Sequence, residues 1–130
     1  MSEPYRRKRS FYQDISGSYR SVAADTGIIH LVAAPANSND TYYIQKLHIE
    51  ITTVNGGGEL YTFQDGAGTP IPIVPSIATS AIAHFDFDFG PEGVPCTQGT
   101  SFDLNITAAT GAISWISWEG YKKRTGVTAA

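Results

Sequence analysis

Apolar and polar residues alternate with a period of two along several segments of this 130-residue chain. The clearest cases are Lys46–Ile51, His84–Phe89 and Phe102–Thr107, in which aromatic or branched aliphatic residues occupy every second position. This period matches the pleat of a strand that is buried on one face, and no stretch has an apolar stripe at helical spacing over three turns. The alternation therefore predicts an all-β protein.

Four further segments are rich in the residue types that suit a pleated surface. They are Ile28–Ala33, Leu60–Gln64, Ile71–Val74 and Ile113–Tyr121. Turns that contain glycine with asparagine, aspartate or proline separate the segments, and the chain has 13 glycines. About seven or eight short strands of this spacing predict an antiparallel β-sandwich, with a jelly roll as the favoured topology.

The length of the chain suits one domain with a single core. We divide it into a basic aromatic N-terminal arm (residues 1–25), a β-sandwich (26–121) and a basic C-terminal tail (122–130). The single cysteine, Cys96, excludes an internal disulfide and a cysteine-built metal site. No apolar stretch follows the basic start, and no apolar run approaches the ~20 residues that span a bilayer, so we expect neither a secretory signal nor a membrane partner.

Charge is distributed unevenly along the sequence. Residues 1–25 carry five bases and three acids, residues 26–119 carry one base and nine acids, and residues 120–130 carry three bases. An acidic body therefore lies between two basic ends. Because an acidic body repels nucleic acid, we do not expect a nucleic-acid partner.

The arm combines bases with aromatic rings. Its candidate interface residues are Tyr5, Arg6, Arg7, Arg9, Phe11, Tyr12 and Tyr19. Arginine binds carboxylates and aromatic rings bury well against a neighbouring protein, so this composition favours a docking arm. A solvated terminus and a nucleic-acid contact are the alternatives, and the number of aromatic residues is high for a solvated tail.

The last predicted strand is apolar on both faces. Ile113, Trp115 and Tyr121 share one face, while Ile116 and Trp118 share the other. The core of the domain covers only one face, so the second face needs another cover. A second subunit is the simplest cover, and it adds Trp115, Ile116, Trp118 and Tyr121 to the candidate interface. A loop or the arm of the same chain is the alternative.

The sequence predicts no catalytic, cofactor-binding or metal-binding residue. His84, Asp86 and Asp88 share one strand face and could line a groove or ligate a hard cation. A polar outer face, paired with a neighbour's arginines, is the simpler interpretation. The chain has no Gly-x-Ser-x-Gly elbow and no phosphate-binding loop followed by a helix, so we expect a protein that is not an enzyme.

Three segments resemble parts of a known family. Gly99–Tyr121, with its apolar-x-Leu-x-apolar start and aromatic-rich end, resembles the closing hairpin of small virion proteins of tailed bacteriophages. Tyr43–Thr53 is similar to their second strand, and Leu60–Gly66 is similar to their hairpin. The resemblance implies a jelly-roll capsid decoration (cement) protein of the virion, often trimeric, that binds the major capsid or other virion proteins and has no catalytic residues.

The charge pattern agrees with an assembly of this kind, because an acidic body and a basic arm are complementary between copies. We expect Arg6, Arg7 and Arg9 to engage acidic surface on an adjacent protein, such as Asp86 and Asp88. Exposed charge pairs contribute only about 0–1 kcal/mol each, so the aromatic residues of the arm must supply most of the binding.

Two rival functions fit a sandwich as well. A carbohydrate-binding module would use Trp115, Trp118 and Tyr121 as a platform on which sugar rings stack. An enzyme of the cupin type would need a triad of metal ligands, and the three histidines lack the clustered spacing that would supply one.

Overall fold

The computed structural model describes residues 12–22, 25–54, 60–70, 77–79, 82–107 and 111–124. Within them the chain forms nine strands: β1 (Tyr12–Arg20), β2 (Gly27–Val32), β3 (Asp40–Thr53), β4 (Leu60–Asp65), β5 (Ile77–Ala78), β6 (Ala83–Asp88), β7 (Val94–Pro95), β8 (Phe102–Thr107) and β9 (Ile113–Arg124). They form two antiparallel sheets, which confirms the all-β class and the β-sandwich. The strand expected at Ile71–Val74 lies outside the described residues.

The chain passes from one sheet to the other between successive strands, except from β4 to β5 and from β6 to β7. The first sheet has the order β1-β9-β3-β6, with β7 also paired to β3, and the second has the order β2-β8-β4-β5. The pairings are nested along the chain: β1 with β9, β2 with β8, β3 with β6 and β7, and β4 with β5. The connections β1–β2, β3–β4, β5–β6 and β8–β9 therefore gather at one end of the sandwich, and the other connections gather at the opposite end.

The core lies between the two sheets, and the predicted alternation selects its members. Residues Leu47, Ile49 and Ile51 of β3 are at most 2% exposed, and Phe102 and Leu104 of β8 are fully buried. Tyr61, Phe63, Ile106, Ile116 and Trp118 complete the centre of the cluster. Burial of each such side chain contributes about 1.5–3 kcal/mol, so this cluster is the main stabilising element of the fold.

A buried hydrogen-bond network joins the sheets where β1 ends and where β4 and β9 begin. The backbone N–H of Ser114 donates to the hydroxyl of Ser21 at 2.8 Å, and the hydroxyl of Ser114 donates to that of Tyr61 at 3.1 Å. The hydroxyls of Ser21 and Tyr61 lie 3.2 Å apart. Since Tyr61 belongs to the second sheet and Ser114 to the first, the network fixes the two sheets to each other at this end.

Part of the range that the sequence analysis assigned to the arm belongs to the first sheet. Tyr12–Arg20 pairs along its whole length with β9 and forms an edge strand of that sheet. The reason is visible in its own alternation, because Ile15 and Tyr19 pack against the core while Asp14 and Arg20 face solvent. The last strand also continues past Tyr121 and ends at Arg124.

Candidate functional site

Exposed apolar side chains collect at the end of the sandwich where β1–β2, β3–β4, β5–β6 and β8–β9 connect. We call this region the apolar end and define it by Val22, Ile28, Val54, Leu60, Ile82 and Trp115, which are between 36% and 75% exposed. Ile28, Leu60 and Trp115 lie within the first three residues of a strand at this end, Val22 and Val54 follow the last residues of a strand, and Ile82 precedes the first residue of β6. Of the large apolar side chains classed as exposed in the described residues, Tyr12 alone lies at the opposite end.

The register of the first sheet explains why these residues lie at the same end of the sandwich. Ile113 at the start of β9 pairs with Thr53 at the end of β3, next to Val54. Arg20 at the end of β1 pairs with Trp115, close to Val22. The starts of β2 and β4, which carry Ile28 and Leu60, belong to the second sheet and lie at the same end because of the Ser21–Tyr61 contact. The apolar end thus receives residues from both sheets.

Trp115 is the largest member of the apolar end and is 48% exposed. It lies on the outer face of the first sheet, where it pairs with Arg20 on one side and with Glu50 on the other. The guanidinium of Arg20 lies 5.4 Å from the centroid of its ring, which is the distance of a cation–π contact. One face of the indole is thereby covered by its own chain, while about half of the side chain remains open to a partner.

Two residues of the candidate interface are interior residues, and a third is partly buried. Ile116 and Trp118 are 1% and 6% exposed because they face the second sheet, and the ring of Trp118 lies directly beneath Gly17. Tyr19 packs against the same core, and its hydroxyl donates to Asp25 at 2.7 Å. Burial, followed by this hydrogen bond, raises the pKa of Tyr19 to about 12. A single copy already buries Ile116 and Trp118, so their assignment to an interface is wrong.

Tyr12 and Tyr121 remain at the surface but contact each other at the end opposite to Trp115. The ring of Tyr121 stacks on Tyr43 with centroids 4.9 Å apart, and the ring of Tyr12 tilts against it at 6.0 Å. Lys123 lies 5.8 Å from the centroid of Tyr12. Tyr12 is 52% exposed, so it is the more accessible of the two. The remaining candidates of the arm, Tyr5, Arg6, Arg7, Arg9 and Phe11, lie outside the described residues.

A shallow groove of about 570 Å³ crosses the outer face of the first sheet. Small side chains form its floor: Ser16 and Ser18 of β1 and Ser117 of β9. Larger polar side chains from the other strands and from β9 line it as well, namely Lys46, His48, Asp86, Asp88 and Glu119. We call it the serine groove. It exists because β1 and β9 place serine side chains on neighbouring positions of one face.

Carboxylates dominate the polar lining of the serine groove. Asp86 contacts the Nδ1 atom of His48, and Asp88 accepts a hydrogen bond from the backbone N–H of Gly90 at 2.9 Å. Within the described part of the chain, neither Asp88 nor Glu119 forms an ion pair. Lys46 is the one lysine or arginine of the lining, against three carboxylates.

The structure brings His84, Asp86 and Asp88 to one outer face, as predicted, and adds a residue that the sequence reasoning did not combine with them. The β3–β6 register places His48 opposite Asp86, and the rings of His48 and His84 lie 6.4 Å apart. This neighbour depends on strand pairing, which no local pattern contains. Among the described residues, no group of three His, Cys, Asp or Glu side chains is arranged to hold a metal ion.

The end opposite the apolar end contains buried carboxylates with full hydrogen bonding, and we call it the polar end. The carboxylate of Asp65 accepts hydrogen bonds from the backbone N–H groups of Ala67, Thr69 and Thr97 at 2.7–3.0 Å and from the Thr97 hydroxyl at 2.6 Å. Burial alone would raise the pKa of Asp65, but these hydrogen bonds, with those from Thr97 the largest, leave the pKa below its ordinary value. Asp40 forms ion pairs with Arg124 at 3.0 Å and Lys122 at 3.6 Å.

Cys96 lies in the same region and is 3% exposed. Burial, followed by the charges of Asp65 and Asp103, raises the pKa of its thiol to about 12. The thiolate is the reactive form of cysteine, so a thiol with this pKa is inert at neutral pH. Cys96 is thus a packing residue of the core.

Comparison with family models and curated sequences finds no relative. No family model matches the chain, and no curated protein sequence matches it. The described residues contain no helix of the length and apolarity that crossing a membrane requires. The candidate site is therefore identified from the geometry of the apolar end and the serine groove.

Proposed function

We propose that the chain is a non-enzymatic structural protein of a virion, a capsid decoration (cement) protein that works as a symmetric assembly of copies and stabilises the particle. The observation that carries this proposal is the apolar end. Its six side chains are open to solvent in one copy although they include tryptophan, isoleucine and leucine. Large apolar side chains that are exposed together at one end of a protein indicate a protein–protein contact.

A closed symmetric assembly explains why the apolar residues occupy one end rather than being scattered. In a cyclic oligomer the same surface of every copy lies near the symmetry axis, so an apolar patch at one end is buried in all copies at once. Trp115, which is the kind of residue that dominates interface energies, then lies against a neighbour. The family resemblance favours three copies, and we propose a trimer that binds the major capsid or other virion proteins.

The strand topology supports the resemblance. Nested antiparallel pairs that start with the first and last strands are what a long hairpin gives when it rolls into two sheets, and this supports the proposal of a jelly roll. Jelly rolls occur in capsid proteins, lectins and cupins, so the topology is compatible with all three classes and does not distinguish between them. The choice rests on the apolar end.

Substitution at the apolar end tests the assembly. Sedimentation velocity of the full chain should give a trimer, and the double variant Trp115→Ser/Ile82→Ser should sediment as a monomer. The matched control Gln13→Ser/Glu92→Ser changes two exposed residues away from this end and should leave the trimer intact. A wild-type chain that stays monomeric at high concentration would overturn the proposal.

The location in a particle needs a separate measurement. Quantitative mass spectrometry of purified virus particles should find the chain at a fixed copy number relative to the major capsid protein. Particles that assemble without the chain should bind it when it is added and should then resist heat or low salt better. If purified particles contain no copies, the virion assignment is wrong even if the chain is a trimer.

A carbohydrate-binding module is a second candidate, and the exposure of Trp115 beside the serine groove favours it. Trp118 cannot stack on a sugar because it is buried, so Trp115 and Tyr121 would be the stacking residues. They are six positions apart on β9, about 20 Å along a strand, which suits an oligosaccharide and not a single sugar. A glycan array of the full chain with a Trp115→Ala control decides this candidate, since loss of a saccharide signal in the variant would establish it.

A further inference from the structure

The serine groove is an open acidic surface with no occupant among the described residues. Its lining has three carboxylates and one lysine, and its floor consists of serine side chains. A small, flat floor leaves room for an extended peptide, whose side chains and backbone would meet the serine hydroxyls and the carboxylates. The chemistry of the groove therefore selects a basic, extended segment.

Two segments of the chain have this chemistry, and the C-terminal one is already engaged, because Lys122 and Arg124 of β9 pair with Asp40. Residues 1–11 carry four bases, Arg6, Arg7, Lys8 and Arg9, and one acid. In residues 12–119, by contrast, the lysines and arginines are only Arg20 and Lys46. Arginine forks pair with carboxylates in two-point hydrogen bonds, so Asp88 and Glu119, which have no ion pair in the described part of the chain, are suitable acceptors.

The direction of β1 indicates which copy supplies the segment. Tyr12 begins β1 opposite Lys123, at the polar end, and the groove lies alongside the strand that follows it, so a segment that precedes Tyr12 would have to reverse direction to enter the groove of its own copy. Asp88 lies about four residues along the strands and three strands across from Tyr12, which is roughly 19 Å. Three extended residues span about 10 Å, so the backbone at Arg9 would not reach Asp88 of its own copy even after such a reversal. A neighbouring copy meets no such restriction.

We propose that residues 1–11 of one copy occupy the serine groove of a second copy, with the arginines paired to Asp88, Glu119 and Asp86. This inference rests on the proposed function, since it needs an assembly of copies. It names residues 1–11 as the occupant of the groove and gives the assembly a second interface in addition to the apolar end. Each copy then donates one arm and receives one, which closes the assembly in a heterologous way.

Crosslinking between isotopically distinct copies tests the proposal in the full chain. A photo-crosslinking amino acid replaces Arg7, and the ¹⁵N-labelled variant is mixed with unlabelled wild type and allowed to exchange. Mass spectrometry should identify crosslinks from position 7 to the segments around Ser16, Ser117 and Asp88, with the two peptides carrying different labels. Crosslinks within one label only, or to surfaces outside the groove, would overturn the proposal.

Charge exchange provides an independent check. The variant Asp88→Lys/Glu119→Lys should lower the crosslink yield about tenfold, because two attractive pairs become repulsive. Adding Arg7→Glu/Arg9→Glu to it, with the crosslinker moved to Tyr5, should restore the yield. The control Asp14→Lys/Glu92→Lys makes the same charge change outside the groove and should have no effect. An unchanged yield in the groove variant would count against the assigned occupant.

The two proposals fail in different ways. If sedimentation shows a trimer that depends on Trp115 and Ile82 while no crosslink reaches the groove, the groove assignment is wrong and the assembly stands. If the chain is a monomer and forms crosslinks within one copy only, both proposals are wrong.

Discussion

The two ends of the sandwich differ in which side chains they bury and which they expose. At the polar end, connections are held by buried carboxylates: Asp65 accepts four hydrogen bonds from neighbouring turns, and Asp40 pairs with Lys122 and Arg124. At the apolar end, the polar network of Ser21, Tyr61 and Ser114 lies inside, and large apolar side chains lie outside. At the polar end, the buried carboxylates bind partners within one copy. The apolar end exposes apolar surface that a partner would bury.

The difference teaches which substitutions should affect folding and which should affect assembly. A buried carboxylate with several donors contributes to the stability of one copy, because its removal leaves those donors without partners. An exposed side chain contributes little to folding and much to binding when a partner covers it. The predictions below test this division, beginning with the largest effect on the free energy of unfolding.

Asp65→Ala should have the largest effect. It removes a buried carboxylate that accepts four hydrogen bonds and should lower the free energy of unfolding by about 3 kcal/mol. Urea denaturation followed by tryptophan fluorescence measures this loss. Asp14→Ala, which removes an exposed carboxylate, is the control and should change it by less than about 0.5 kcal/mol. Equal effects of the two variants would contradict the role given to the polar end.

The same carboxylate should make stability depend on pH in the acid range. The pKa of Asp65 is lowered in the folded state, so its contribution is complete above its unfolded value of 3.8 and is lost as the pH falls through the lower folded value. The stability difference between the wild type and Asp65→Asn should therefore be constant near neutrality and shrink below about pH 4. Urea titrations between pH 2 and about 7 measure it, and a difference that grows on acidification would refute this sign.

Tyr61→Phe should have an intermediate effect of about 1–2 kcal/mol on the free energy of unfolding. The variant keeps the ring but removes the hydroxyl that joins Ser21 and Ser114, and both serine side chains are buried. Tyr43→Phe, whose hydroxyl has no hydrogen-bond partner among the described residues, is the matched control. If both variants unfold at the same urea concentration, the network does not hold the sheets together.

Trp115→Ser should have the smallest effect on folding. Because about half of the side chain is exposed and its main contact is with Arg20, we expect a change of about 0.5 kcal/mol or less in the unfolding of the isolated copy. Denaturation at a concentration where the wild type is dissociated measures it. A loss as large as that of Asp65→Ala would show that Trp115 belongs to the core and not to an interface.

The sequence predicts the strands and their buried faces because both depend on local information. Alternation in β3 and β8 identifies Leu47, Ile49, Phe102 and Leu104 as core residues, and the structure buries all four. Asp103 shows the limit of the rule: its position in the alternation predicts an outward polar side chain, yet it is 1% exposed and pairs with His30 at 2.6 Å. Its partner comes from β2, which is distant in the sequence.

The candidate site was partly predictable for the same reason. The two faces of the last strand follow from its pattern, which correctly separates Trp115 from Ile116 and Trp118. The apolar end does not follow, because Ile28, Leu60 and Ile82 belong to different segments with no common motif and meet only through the strand order.

The amino-acid sequence by itself determined which segments are strands and which side chains each strand turns inward, since a pleat repeats every two residues whatever lies beside it. Tertiary structure decided which strands are neighbours, in what register, and at which end each connection lies. Strand pairing and register place His48 beside Asp86, bring hydrogen-bond donors to Asp65 and place the exposed apolar residues at one end. They depend on contacts between residues far apart in the chain, and no local pattern contains that information.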